Sequence, residues 1–338
     1  MGQAASTAER TSLHWAAQNQ VGSLTMDIVE LELRRAEHWQ QREALSVVDV
    51  SAKLRLADLL SEREERFAAQ LQRQEGLLFS ALHLLLNMAE DAVVEQKMVR
   101  KGLLAQLATL LDRSSPNLLV LLTTFLRKLS VYAEAKRAML DAGVVHRLVA
   151  LVPSDGGELL RSVLRLLHNL SFDAEQRLEM VSAGLIPRAV GLLAQPEPIR
   201  QLALGLLYHL SLEDKHRSMF LYTDALPRLH QLLMEVSFGL AVLAPELVAL
   251  VANLTESARV AEEMARAGSV EPLVQRALEA QDEPLWEVVH NMARHDSEVV
   301  RQRLAPSLAG MAQLLMVGAS ATLPSSPCSM PTLPSCPN

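Results

Sequence analysis

Leucine-rich apolar stretches recur along the chain in the same order and at nearly constant spacing. The segment LLHNLSFDAEQRLEMVSAGLIPRAVGLL, residues 166–193, has a counterpart in residues 125–152 and another in residues 206–233. Apolar positions and turn residues agree among the three copies, whereas the polar residues between them differ. Such self-similarity is typical of repeat architectures, in which each unit contacts only its neighbours and meets the same packing problem.

One polar residue interrupts each Leu-rich stretch and marks the register of the repeat. These residues, called here the polar ladder, are Asn87, Lys128, Asn169, His209, Asn253 and Asn291, at intervals of 41, 41, 40, 44 and 38. The turn residues that follow the first five are Gly102, Gly143, Gly184, Asp224 and Gly268, at intervals of 41, 41, 40 and 44. Because both series keep one register, the period of about 40 residues predicts a solenoid of helical repeats.

Each unit is predicted to contain three helices. Asp173 is a candidate N-cap for a short helix, AEQRLEMVSA. Gly184 then supplies the permissive backbone of a sharp turn, and a second short helix, IPRAVGLLA, carries Pro187 in its first turn. The third and longest helix, such as ELLRSVLRLLHNLS from Glu158, is apolar nearly all round, as expected if neighbours bury it on several sides.

A short helix, a glycine turn, a second short helix and a long helix together resemble an armadillo repeat, most plainly in EQRLEMVSAGLIPRAVGLL. HEAT repeats are the nearest alternative, but the glycine turn favours the armadillo type. The resemblance implies an all-α, right-handed superhelical solenoid with long helices before the repeats. We predict a disordered tail at 1–22, a leading helical segment at 23–75, about five repeats plus a degenerate one at 76–317, and a disordered Pro/Ser-rich tail at 318–338.

Composition narrows the class of function. With 49% hydrophobic and 21% charged residues, most of the chain can bury a core. The net charge of −7 argues against a general nucleic-acid binder and permits partners that carry basic segments. Cys328 and Cys336 match no zinc-binding spacing, so we expect no metal and a reducing, intracellular compartment. No secretory signal and no membrane-spanning run is evident.

Catalytic motifs are absent from the sequence. It contains no nucleophile elbow, no glycine-rich phosphate loop and no HExxH pair. Histidines on the long helices are more often packed or groove-lining residues than catalytic ones. We therefore expect a protein that is not an enzyme and needs no cofactor.

The polar residues on apolar third helices are the informative positions. Residues four before the ladder share its helix face. The predicted partner-binding groove therefore consists of His83, Asn87, Thr124, Lys128, Arg165, Asn169, His209, Asn253 and Asn291. Two interpretations stay open: the ladder lines a concave binding groove, or each Asn only ties its own helix to the next turn.

The chemistry of this groove differs from that of nuclear-import receptors, which pair a Trp with each ladder Asn four residues away. No Trp occupies such a position here, and Trp286 lies five residues before Asn291. Lys128 and Arg165 instead indicate a mixed or basic groove floor that could meet an acidic or helical partner.

Longer strings resemble the kinesin-associated protein family. They are LLLNMAED, LLHNLSFDAEQRLEMVSAGLIP, LLYHLSLEDKHRSMFLYTDALPRL, QRALEAQDEPLWEVVHNMARHD and, from Gly22, GSLTMDIVELELRRAEHWQQ. MFLYTDALP discriminates best, because Asp224 stands where other units have Gly. The resemblance, over roughly 22–315, implies a non-catalytic adaptor that joins the tails of two kinesin-II motor subunits and links them to cargo adaptors. It also implies a place in the cytoplasm, on microtubules and in cilia, including intraflagellar transport.

The two ends of the chain add further expectations. The family extends beyond the match on both sides, so we expect missing end repeats and an exposed apolar stacking face. MGQAAS fits an N-myristoylation pattern with Gly2 as acceptor and Ser6 at the required position. An alternative function is therefore a generic armadillo scaffold in adhesion or signalling, attached to a membrane if Gly2 is acylated.

Overall fold

The computed structural model of the chain describes residues 26–32, 34–35, 53–152, 157–235, 244–280 and 283–306. All regular secondary structure within these ranges is helical. Gly2 and the predicted tails at 1–22 and 318–338 lie outside the described residues. The all-α prediction is confirmed for the described part of the chain.

The helices are numbered in chain order and fall into short–short–long groups after the first. They are α1 (Lys53–Met88), α2 (Ala92–Arg100), α3 (Leu103–Leu110), α4 (Pro116–Leu129), α5 (Ala133–Asp141), α6 (Val144–Ala150), α7 (Gly157–Leu170), α8 (Ala174–Ser182), α9 (Leu185–Leu192), α10 (Ile199–Ser211), α11 (Asp214–Arg217), α12 (Ala225–Glu235), α13 (Pro245–Thr255), α14 (Ala258–Arg266), α15 (Val270–Ala280) and α16 (Glu283–Ala293). A 3₁₀ helix, Ser218–Tyr222, lies between α11 and α12. Residues 26–32, 34–35 and 298–306 are also helical.

The predicted helix boundaries are confirmed by their caps. The Asp173 carboxylate accepts hydrogen bonds from the backbone N–H groups of Glu175 (3.0 Å) and Gln176 (3.3 Å), which would otherwise lack partners at the start of α8. Gly184, between α8 and α9, has φ 79° and ψ 33°, a left-handed conformation that a side chain disfavours. Glycines at the equivalent turns also have positive φ: Gly102, Gly143 and Gly268.

The unit that has Asp224 in place of glycine turns differently. Its first helix is reduced to α11 and the 3₁₀ helix, with Phe220 fully buried. Thr223 donates to the Phe220 carbonyl (2.8 Å) and accepts from the Ala225 N–H (3.2 Å). This hydroxyl therefore satisfies backbone groups at the turn into α12, where the other units place a left-handed glycine.

The long third helices form the centre of the core. In sequence order, α1, α4, α7 and α10 pack each against the next, and α13 packs against α16. Leu164, Leu166, Leu167 and Leu170 of α7 are all fully buried, which confirms that this helix is apolar on several sides. Each such leucine stabilises the fold by about 1.5–3 kcal/mol through burial alone.

The chain forms two compact units, one ending at Arg228 and one beginning at Leu229, so α12 spans the division. The predicted boundary at residues 75/76 lies inside α1, which is continuous from Lys53 to Met88. The predicted domain limits and the right-handed superhelix stay predictions.

The leading helical residues dock against the start of the repeats. Met26 and Val29 are buried. Gln74 of α1 donates from its side-chain amide to the backbone carbonyl of Glu32, and its oxygen accepts from Arg113 at 3.4 Å. One buried amide thus links the helical residues 26–32 to α1 and to the loop that follows α3.

Candidate functional site: the third-helix face

The register between α4 and α7 is fixed by two hydrogen-bonded contacts. Near the middle of the helices, the hydroxyls of Thr123 and Ser162 lie 2.7 Å apart. Near their C-terminal ends, the Asn169 amide donates to the Ser130 hydroxyl at 3.3 Å. Because both contacts join buried or half-buried groups, they hold the two helices in one relative position.

Three ladder residues make the same kind of contact with the preceding third helix. Besides Asn169, the His209 ring nitrogen Nδ1 lies 2.5 Å from the Ser171 hydroxyl. In the compact part of the chain that begins at Leu229, the Asn291 amide donates to the Ala252 carbonyl at 3.1 Å. At these positions each ladder residue ties its helix back to the preceding third helix, whereas the second interpretation of the sequence had an Asn tie its own helix to the next turn. Direct contact of these residues with a partner stays a prediction.

The hydroxyl partners of the ladder were missed by the sequence analysis. Ser130 and Ser171 each lie two residues after a ladder position and donate to the carbonyls of Arg127 and His168, both at 2.7 Å. The same hydroxyl then accepts from the ladder residue of the next unit. The recurring triplets KLS, NLS, HLS and NLT, which begin at each ladder residue from 128 to 253, are the signal that could have identified them.

His209 is held in a neutral state by its surroundings. Its side chain is only 8% exposed, and its ring centroid lies 4.9 Å from that of His168. Burial lowers the pKa of His209 to about 4, with smaller contributions from His168 and Arg177. Since the Ser171 hydrogen is donated to a carbonyl, the proton on the neutral ring lies on Nδ1 and is donated to Ser171.

An arginine after the third helix reinforces this junction. Arg177 of α8 donates to the carbonyl of Ser171 at 3.0 Å and to the Glu213 carboxylate at 2.6 Å. Its hydrogen bond lowers the pKa of the Glu213 carboxyl. In the next unit, Arg217 donates to the equivalent carbonyl, that of Ser211, at 2.9 Å. Both arginines thus satisfy carbonyls that the end of a helix leaves open.

The remaining predicted groove residues also lie on third helices but differ in exposure. Those on the surface are His83, Asn87 and Arg165; those half-buried are Thr124, Lys128 and Asn253. The Thr124 hydroxyl lies 3.5 Å from that of Ser162, so α4 and α7 bring Thr124, Lys128, Arg165 and Asn169 to one junction. Asn253 and Asn291 belong to the second unit.

A group of cations lies on this junction, and sequence reasoning identified only two of its members. We call Arg127, Lys128, Arg161 and Arg165 the cationic face. Arg161 pairs with Glu158 at 3.4 Å. Among the described residues, none gives Arg127, Lys128 or Arg165 an ion pair or a side-chain hydrogen bond. Three positive charges are therefore available to a ligand.

Exposed apolar side chains occupy one repeated position just after the third helices α4, α7 and α10. Val131 is 75% exposed, Phe172 64% and Leu212 41%, and each directly follows the serine described above. We call these three residues the apolar rim. The Phe172 ring packs edge-on against His209 (centroids 4.5 Å apart) and His168 (5.4 Å). Phe172 is thus supported from beneath while its outer side is open to solvent.

The comparison that decides the family concerns the whole repeat region. A family model described as "Kinesin-associated protein (KAP)" matches residues 9–318. The chain belongs to the kinesin-associated protein family. The resemblance inferred from the sequence is thereby confirmed.

Solved structures with a similar fold are armadillo-repeat and engineered proteins. An engineered protein aligns with TM-score 0.60 and 20% identity over 71% of this chain, which spans 60% of that protein's length. A computationally designed armadillo repeat protein for modular peptide recognition aligns with TM-score 0.53 and 20% identity, covering 68% of this chain and 93% of its own. A designed armadillo repeat protein in complex with the peptide (KR)4 gives TM-score 0.53 and 20% identity, covering 64% and 92%. These likenesses confirm the armadillo fold of this kinesin-associated protein family member.

In the described ranges, His, Cys, Asp and Glu side chains form no group that could hold a metal ion. None of the described helices is both long and apolar enough for a membrane span.

Proposed function

We propose that this chain is a non-catalytic adaptor that binds the tail regions of kinesin-II motor subunits through its third-helix face. The family match over residues 9–318 is the observation that supports a kinesin partner. The cationic face and the apolar rim support the choice of surface, because cations without partners and exposed aromatic groups are typical of binding hot spots.

The ladder contacts give this surface a physical basis for binding. Asn169 and His209 tie α4, α7 and α10 into one layer, so the groups that face solvent are held in place before a partner arrives. A preorganised surface loses less conformational entropy on association than a mobile one. An elongated tail segment could therefore meet the same set of positions in successive repeats.

The cellular role follows from a motor-bound adaptor. We propose that the chain links two kinesin-II motor subunits to cargo adaptors in microtubule-based transport, including intraflagellar transport in cilia. Its partners would then be proteins and not nucleic acid, and membrane contact would depend on acylation of Gly2.

A pull-down of the full chain against the C-terminal segments of both motor subunits tests the proposed function. Binding of both tails is the expected result. The double charge reversal Lys128→Glu with Arg165→Glu should weaken binding, whereas Lys97→Glu with Arg100→Glu changes the same net charge on exposed residues of α2 and serves as the matched control. Tails that bind equally to both double variants would refute the choice of surface.

Failure to bind either tail would contradict the motor function itself. A folded protein with that behaviour would favour the generic armadillo scaffold in adhesion or signalling. The mass of the N-terminal peptide, with or without a myristoyl group on Gly2, would then decide whether such a scaffold is membrane-attached.

A further inference from the structure

We infer that the junction of α4 and α7 takes an acidic polypeptide segment that carries apolar side chains beside its carboxylates. The assignment rests on the proposed function, because it describes the chemistry of the segment that the third-helix face would bind. It goes further in specifying the sign of the charge and the position of an apolar anchor.

Helix geometry places Arg127 and Arg165 beside each other. Arg127 lies between Thr123 and Ser130 on one side of α4, at spacings of four and three residues. Arg165 likewise lies between Ser162 and Asn169 on α7, at spacings of three and four. Since Thr123 contacts Ser162 and Asn169 contacts Ser130, the two arginines lie at the same level of the helix pair.

The two arginines also emerge on one side of the helix layer. Successive residues of an α-helix are about 100° apart, so Arg127 is rotated from Thr123 in one sense and Arg165 is rotated from Ser162 in the opposite sense. α4 and α7 run in the same direction and touch along Thr123 and Ser130 on one helix and Ser162 and Asn169 on the other. Side chains that are rotated in opposite senses from these contacts therefore point to the same surface of the helix pair. Both guanidinium groups are exposed there, with Lys128 next to Arg127.

Among the residues that the structure describes, no carboxylate balances the full charge of the cationic face. Glu158 is engaged with Arg161, and Asp173 accepts from two backbone N–H groups as the cap of α8. Glu90, beyond the end of α1, is exposed but gives no ion pair to the cationic face. Like charges held side by side repel, and an incoming carboxylate removes that repulsion while accepting paired hydrogen bonds from a guanidinium group.

The apolar rim distinguishes a polypeptide from a simple polyanion. Val131 comes four residues after Arg127 at the end of α4, and Phe172 comes two residues after the last residue of α7. Phe172 is supported by His209 and His168 and offers its open side as an anchor surface. A segment with leucine-like side chains among carboxylates would satisfy both surfaces, whereas a nucleic-acid backbone would use only the charges.

The charge pattern is opposite to that needed for a basic ligand. One designed armadillo repeat protein of similar fold is in complex with the basic peptide (KR)4. Here Lys128 and Arg165 occupy the groove positions of adjacent helices, so a lysine- or arginine-rich segment would be repelled at this junction.

Fluorescence anisotropy of the full chain with labelled 16-residue peptides provides the test. The probes are (Glu-Asp-Leu-Gly)4, its leucine-free analogue (Glu-Asp-Ser-Gly)4, the basic (Lys-Arg-Leu-Gly)4 and the oligonucleotide dT16. The first should bind most tightly and lose about tenfold in affinity when salt is raised, because exposed charges are screened. The Ser analogue should bind more weakly, and the basic peptide should show no saturable binding.

Two double variants separate this surface from the rest of the protein. Lys128→Glu with Arg165→Glu should lower the affinity for (Glu-Asp-Leu-Gly)4 by about tenfold or more, while Lys97→Glu with Arg100→Glu should leave it nearly unchanged. Val131→Ser, at an exposed position, should remove part of the advantage of the Leu peptide over its Ser analogue. Far-UV circular dichroism during heating checks that each variant is folded.

The result that would overturn the assignment differs from the one that would overturn the proposed function. Equal binding of the basic peptide, equal binding of dT16, or no response to the Lys128/Arg165 reversal would each refute an acidic, partly apolar ligand. A chain that binds motor tails but not the acidic peptide refutes the ligand chemistry alone. A chain that binds the acidic peptide at this face but neither motor tail refutes the motor function alone.

Discussion

Substitution of His209 by asparagine tests whether the ladder is a set of buried ties. His209 donates to Ser171, and the equivalent residue one unit earlier, Asn169, makes the same contact with Ser130 through an amide. His209→Asn therefore keeps a donor at the junction and removes a buried group that can take up a proton. The variant isolates the titration of the ring from the hydrogen bond that it makes.

The expected effect follows from the lowered pKa of His209, from 6.5 to about 4. Between these values the unfolded chain binds a proton that the folded chain does not, so the free energy of unfolding falls as the pH is lowered. For this pair of pKa values the loss between pH 7.5 and pH 5.0 is about 2 kcal/mol, and it approaches about 3 kcal/mol below pH 4. The lowered pKa of His216 acts in the same direction and cancels when the variant is compared with the wild type.

Urea denaturation at pH 7.5 and pH 5.0, followed by far-UV circular dichroism, measures the difference. The free energy of unfolding is taken from the urea transition that the substitution affects. Between pH 7.5 and pH 5.0 it should fall by about 2 kcal/mol less in His209→Asn than in the wild type. The control His83→Asn makes the same substitution at an exposed position on α1, so its free energy of unfolding at pH 7.5 should stay within about 0.5 kcal/mol of that of the wild type. A His209→Asn variant that loses as much stability as the wild type would refute burial of a neutral ring at this junction.

Three further substitutions, the last paired with a control at an exposed leucine, test the elements that hold the repeats. Asp173→Ala removes the acceptor for two N–H groups of α8 and should lower the free energy of unfolding by about 1 kcal/mol in urea denaturation, while no change would contradict the cap. Gly184→Ala forces a side chain into a left-handed turn and should cost about 1–2 kcal/mol, seen as a lower melting temperature. Leu167→Ala should cost about 2–5 kcal/mol in the buried α7, whereas the exposed Leu178→Ala should stay within about 0.5 kcal/mol; equal losses in denaturation would refute the burial pattern.

Local features of the fold could be predicted from the sequence because their causes are local. Asp173 and Gly184 act on backbone groups within a few residues, so capping and turn preferences were sufficient to place α8 and α9. The turn at Thr223 was less accessible. Its hydroxyl replaces the geometry that glycine supplies elsewhere, and a Ser or Thr can adopt several local bonding patterns.

The candidate site was predictable only in part, because its composition depends on contacts between helices. Lys128 and Arg165 were found from their spacing relative to the ladder. Arg127 was missed because it directly precedes the ladder residue Lys128 and so lies outside the four-residue spacing that was used to select groove positions. Only the register of α4 against α7 brings it beside Arg165. The sequence also could not show whether a ladder residue ties two helices together or faces the groove, because that depends on which group its side chain contacts.

Lys128, the one lysine in the polar ladder, shows what decides whether a ladder residue bonds to the preceding helix or stays available to a ligand. Asn169 reaches back to Ser130, 39 residues earlier, and His209 reaches back to Ser171, 38 residues earlier. A residue 39 before Lys128 is Ala89, which has no hydroxyl to accept a hydrogen bond. A tie of this type cannot form there, and the lysine has no partner among the described residues. Where a serine hydroxyl follows the preceding third helix, as it does for Asn169 and His209, the ladder residue holds the layer together; Lys128 has no such hydroxyl and carries a charge available to a ligand.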